Sequence, residues 1–150
     1  MVFCCSMLFA CSPGLLPAQD IQRINPPALT TSPAYSQAVK ATPGTVIWVA
    51  GQTAQNAKGE LVGKGDLKAQ LNQVWENLKV ALEASGATFK HVVKITTFVV
   101  NYDPSMRDDL RAARLRFMGS AEPPAATLVG VQSLASKEWL VEIEVTAVVP

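Results

Sequence analysis

Within residues 66–85 the apolar side chains Leu67, Leu71, Val74, Trp75, Leu78 and Leu82 recur at steps of four, three, one, three and four. That spacing gathers all six on one stripe of an α-helix, and such a stripe has to be covered by another element. Asp66 is placed to cap the first N–H groups of the helix, and Gly86 to stop it. A shorter helix is expected over 105–118, with Met106, Leu110, Ala113 and Phe117 turned inward and Gly119 as its terminator. The segments available to cover both helices are β-branched: 45–50, ended by Gly51; 92–100, ended by Asn101-Tyr-Asp-Pro104; 126–131, entered through Pro123-Pro124; and 139–149. In the last of these, Trp139, Val141, Ile143, Val145, Ala147 and Val149 share one face, and Leu140, Glu142, Glu144, Thr146 and Val148 share the other. The order strand, helix, strand, helix, strands predicts an α+β layer, with two helices on one face of a mixed sheet. The second face of that sheet is left without a cover from its own chain, so self-association is expected.

A chain of 150 residues suits one domain. Thirteen Lys+Arg against twelve Asp+Glu leave a formal charge of +1, too little for a polyanion binder. The single histidine, His91, sits between helix and strand and reads as a surface residue; with it alone, neither a Ser-His-Asp triad nor a Cys/His zinc site is expected, and no metal ligands are assigned. The glycines at 59, 63 and 65 with Lys64 do not make a phosphate loop. Three residues separate the first pair instead of four, and Gly65 stands where a magnesium-binding Ser or Thr belongs. Residues 56–65 are therefore expected to be an exposed loop.

Residues 1–18 carry no charge and hold all three cysteines, Cys4, Cys5 and Cys11. Their apolar stretch, Ser-Pro-Gly break and Leu16-Pro17-Ala18 resemble a secretory leader cleaved after Ala18, although the basic start is missing and Leu16 is large for its place. A lipoprotein signal ending at Cys11 is the alternative. The expectation is a leader at 1–18, a single domain at 19–150, and a secreted or periplasmic product with no transmembrane segment. Residues 19–33, with Pro26, Pro27 and Pro33, read as an arm.

Six stretches then carry a resemblance: Ser32-Pro-Ala-Tyr35-Ser-Gln37-Ala-Val39, Val49-Ala-Gly51-Gln52, Gln73-Val-Trp-Glu-Asn77-Leu78, Val92-Val-Lys94, Pro123-Pro-Ala-Ala-Thr-Leu-Val-Gly-Val131 and Val141-Glu142-Ile-Glu144. In this order and near spacing the chain resembles the Rid family, also called YjgF or RidA, with the older name endoribonuclease L-PSP. The resemblance implies a chorismate-mutase-like α+β fold and a homotrimeric barrel with ligand clefts between subunits. It also implies, for active members, cofactor-free hydrolysis of enamines and imines such as 2-aminoacrylate to 2-oxo acids and ammonia. In that chemistry an arginine grips the substrate carboxylate as a bidentate fork, a glutamate and backbone groups position water, and a tyrosine lines the cleft.

Carried over residue by residue, the resemblance points to Tyr35, Gly51 and Glu142, with Glu142 the candidate catalytic carboxylate. The arginine expected after Pro124-Ala125 is Ala126. That loss removes five donors and a fixed charge, worth on the order of a thousandfold in binding. The chain therefore resembles an arginine-lacking subgroup. Arg111 stands about where the second helix of the family carries an asparagine, and it is the candidate substitute cation. With Arg107 and Arg114 it forms a stripe at i, i+4 and i+7, read either as a solvated face or as an anion site. Glu142 equally reads as a solvated or inter-subunit carboxylate, Tyr35 as packing, Gly51 as backbone geometry, and Trp48 and Trp139 as core or interface.

Two functions compete. One is a trimer that binds a small metabolite in its inter-subunit clefts without the usual activity. The other is an enamine/imine deaminase, a cofactor-free hydrolase. The ribonuclease of the older family name would want a basic groove and His or Lys pairs, which this chain lacks. A purely structural role is the remaining reading.

Overall fold

A computed structural model describes residues 20–29, 32–42, 44–119 and 122–150. The segment read as a leader, with Cys4, Cys5 and Cys11, lies outside the described residues. Strands β1 (Asp20–Ile24) and β2 (Ala38–Thr42) pair antiparallel as a two-stranded ribbon. The main sheet holds β3 (Thr45–Gln52), β4 (Val92–Val100), β5 (Ala125–Val131) and β6 (Val141–Val149) in the order β3-β6-β4-β5. β6 runs antiparallel to both neighbours, while β4 and β5 are parallel and joined by a helical crossover. Helices α1 (Leu67–Ala84) and α2 (Arg107–Met118) lie together on one face of this mixed sheet.

The expected stripe of α1 is the centre of the core. Leu71, Val74, Trp75, Leu78 and Leu82 are buried against Val49, Ile95, Val141, Ile143 and Val145 of the sheet. The carboxylate of Asp66 accepts from the Lys68 and Ala69 N–H groups, as a cap should. At the other end Gly86, at φ 76°, makes a left-handed stop. Its N–H and that of Ala87 return to the Glu83 and Leu82 carbonyls. Trp75 fixes α1 against α2 by stacking on Phe117, with centroids 6.0 Å apart, and meets Phe89 edge-on at 5.5 Å. Ala113 is buried, and Met106, Leu110 and Phe117 pack on the core, so the inward face expected for the second helix is correct.

Several boundaries differ from expectation. The arm at 19–33 includes strand β1, whose alternation is short and half exposed. Gly51 does not end β3, which continues to Gln52 through an irregular register between Val49 and Gln52. The second helix opens as a 3₁₀ turn at Pro104–Met106 and becomes α-helical only at Arg107. The final strand begins at Val141, because the Leu140 N–H bonds to the buried Gln70 side chain instead of to a neighbouring strand. His91 is half-buried, and its Nδ1 accepts from the Thr88 N–H at 3.0 Å, which closes the turn Phe89–His91.

Candidate functional site

The segment before β2 is held against the sheet by Ser36. Its hydroxyl donates to the Pro123 carbonyl at 2.6 Å, and its N–H donates to the Pro124 carbonyl at 3.1 Å. Ser36 also bridges in parallel to Ala125 and is almost fully buried. From the helix side the Arg114 guanidinium donates to the Ala34 carbonyl. Residues 32–36 are thus clasped between α2 and the start of β5, and Tyr35 comes to the rim of a cleft of about 620 Å³.

Ala126 lies in the wall of that cleft, paired with Ile95 of β4. Leu71 and Trp75 of α1 and Ile143 of β6 supply apolar wall, and Thr97 adds a hydroxyl; the Thr127 hydroxyl accepts from Lys94 on the opposite face of the sheet. The remaining wall is α2, which turns Arg107, Arg111 and Arg114 toward the same space. Burial, then the neighbouring Arg111 charge, holds the Arg114 guanidinium below the usual arginine value. Tyr35, Ala126 and Arg111 are therefore brought together. The basic stripe borders a cleft, whereas sequence reasoning left it open between a solvated face and an anion site. Trp75 was assigned to the core by its helical spacing, and nothing in the sequence marks it as cleft wall.

Gly51 and Glu142 are brought together elsewhere. Gln52 pairs with Ile143 across β3 and β6, and a Cβ on Gly51 would overlap Glu142 Oε1 and lie 2.7 Å from Cδ. Ile143 lines the cleft, so Glu142, the adjacent residue on a pleated strand, points to the opposite face. On that outer face Trp48, Lys94, Thr96, Glu144 and Thr146 border a smaller depression of about 310 Å³. Within one chain the candidate carboxylate and the Tyr35–Ala126 cleft thus occupy opposite sides of the sheet. Among the described residues no group of three His, Cys, Asp or Glu side chains could hold a metal, and no helix is long and apolar enough to cross a membrane.

This fold and this placement of motifs define one class of protein. The model of the endoribonuclease L-PSP family matches residues 26–149, and the chain belongs to that family, the Rid or YjgF/RidA proteins. It is 38% identical over 114 residues to the RutC family protein PH0854 of Pyrococcus horikoshii, covering 75% of this chain and 85% of that one. It is 33% identical over 117 residues to the 2-iminobutanoate/2-iminopropanoate deaminase of Dermatophagoides farinae, covering 77% and 85%. Among solved structures, the Rid-family protein YyfB from Yersinia pestis superposes with a TM-score of 0.81 at 43% identity, over 86% of this chain and 98% of that one.

Proposed function

We propose that the chain forms a homotrimer that binds a small metabolite in clefts between subunits, without the imine-deaminase activity that rests on a strand arginine. The observation that carries this reading is Ala126 in the cleft wall, at the place where the family resemblance expects the carboxylate-gripping fork. A methyl group offers no donor and no charge to an anionic imine. The separation of Gly51 and Glu142 from Tyr35 and Ala126 supports the assembly: only a neighbouring subunit would bring the first pair against the second. Glu142 would then meet the amine or hydroxyl end of a ligand. Release of 2-oxo acid while an amino-acid lyase generates 2-aminoacrylate tests the reading. No acceleration is expected from this chain, and Ala126→Arg should restore it; clear acceleration by the unaltered protein would overturn the reading.

The second reading, an enamine/imine deaminase, is favoured by Arg111, which lines the cleft and could take the carboxylate from the helix side. The 33% identity to a protein named as such a deaminase supports it at the level of the family. Under this reading the same assay shows turnover, and Arg111→Ala abolishes it.

A further inference from the structure

We infer that the ligand of this cleft is a small dianion, held from the helix side by Arg107 and Arg111; the inference rests on the metabolite-binding reading above. Within one chain the lining contains three guanidinium groups and no carboxylate; in the proposed assembly Glu142 of a neighbouring subunit would face the ligand's amine or hydroxyl end, away from the arginines. Arg114 is occupied by the Ala34 carbonyl. Neither Arg107 nor Arg111 has an ion-pair partner among the described residues. Of the other charged side chains of α2, Asp109 pairs with Lys68 at 3.2 Å and Arg116 donates to the Asn72 side chain at 2.7 Å. Asp108, three residues before Arg111, makes no ion pair among the described residues and does not line the cleft. Two cations one helical turn apart, with Cβ atoms about 5–6 Å from each other, repel unless an anion lies between them. Each guanidinium can grip one carboxylate, or both can share one phosphate.

Beside the arginines lies one buried polar group without a partner. Trp75 is 2% exposed and forms part of the cleft wall, yet its Nε1–H has no acceptor in the protein. A buried donor without an acceptor is costly, and a ligand oxygen could reach it only if the surrounding wall shifts, because the nitrogen has almost no accessible surface. A cleft of about 620 Å³ is within the range that holds a small organic ligand. The apolar wall of Leu71 and Ile143 would face a short carbon skeleton between the charges. Dicarboxylates and phosphomonoesters share this chemistry.

Calorimetric titration of the full chain with succinate, glycerol phosphate and the monoanion butyrate tests the inference. At least one dianion should bind tenfold or more tightly than butyrate, with affinity falling as salt rises, and the preferred probe tells dicarboxylate from phosphate. Arg107→Ala and Arg111→Ala should each weaken that dianion about tenfold and leave butyrate little changed. Arg111→Lys, which keeps the charge but not the fork, should fall between. Both arginines are exposed, so the variants should keep the circular dichroism of the parent. Ala126→Trp, which fills the cleft, should abolish binding of every probe. Equal affinity for dianion and monoanion, or arginine variants that bind like the parent, would overturn the dianion while leaving a metabolite cleft that Ala126→Trp still closes. Absence of binding by all three probes would overturn the inference as well, and the 2-oxo acid assay, which uses none of them, would still judge the broader reading.

Discussion

A methyl group at position 51 would overlap Glu142 Oε1 and stand 2.7 Å from Cδ and 2.9 Å from Cγ, so more than the tip of the side chain must move to admit it. The glycine is thus required by the close approach of a carboxylate. Gly51→Ala is expected to cost about 1–3 kcal/mol, the range for inserting a carbon into a packed site. Most of that cost should vanish in a Glu142→Ala background, so a double-mutant cycle by urea denaturation should return a coupling of about 1 kcal/mol or more. Additive effects of the two substitutions would show that the contact carries nothing. The sequence marked both residues separately, each by a stretch that carries the family resemblance, and strand alternation added only the face on which Glu142 lies. It did not mark their contact, because they lie on different strands and meet through the irregular β3–β6 register, which leaves no local pattern. The same limit explains Trp75, whose helical spacing is correct and whose second role depends on where Ala126 and Arg111 arrive.

Helix α1 was legible almost to the residue, since its stripe, cap and stop are all local signals. Strand β1 was not: its five residues alternate without a core to bury, and a proline-rich stretch follows them. Between these extremes lies Gln70, which a stripe of apolar residues passes over although it is fully buried. Its Nε2 donates to the Gly63 carbonyl at 3.1 Å and to the Glu138 carbonyl at 2.8 Å, and its Oε1 accepts from the Leu140 N–H at 2.8 Å. One side chain thereby ties the loop before α1 and the turn before β6 to the helix, and it sets where the last strand begins. Gln70→Leu keeps most of the volume and deletes all three bonds, leaving the Leu140 N–H and the Glu138 carbonyl without these partners, while the Gly63 carbonyl keeps the Asp66 N–H. A loss of about 3 kcal/mol is expected at the denaturation midpoint with an unchanged slope. A loss below about 1 kcal/mol would mean that water replaces the side chain and that these loops do not depend on it.

The two helices cover one face of the sheet, and the other face presents Trp48 at 78% exposure and Val46 at 42%. That open face was foreseeable from the order of elements, because no further segment of the chain was left to cover it. An indole in water forgoes roughly 2–3 kcal/mol of burial per subunit, and beside it stand Lys94, Thr96, Glu144 and Thr146, too polar for a core and suited to a wet interface. The proposed trimer would use this face, and the proposed function would depend on it, since Glu142 lies on this side and the Tyr35–Ala126 cleft on the other. Trp48→Glu should therefore separate assembly from folding. Sedimentation should report a monomer at micromolar concentration, while the far-ultraviolet circular dichroism stays that of the parent, because position 48 contributes nothing to the core. Trp48→Phe should restore the assembly, and ligand binding should follow the oligomeric state across the three proteins. If the parent itself sediments as a monomer and still binds its ligand, the cleft is complete within one chain, and Glu142 has no part in it.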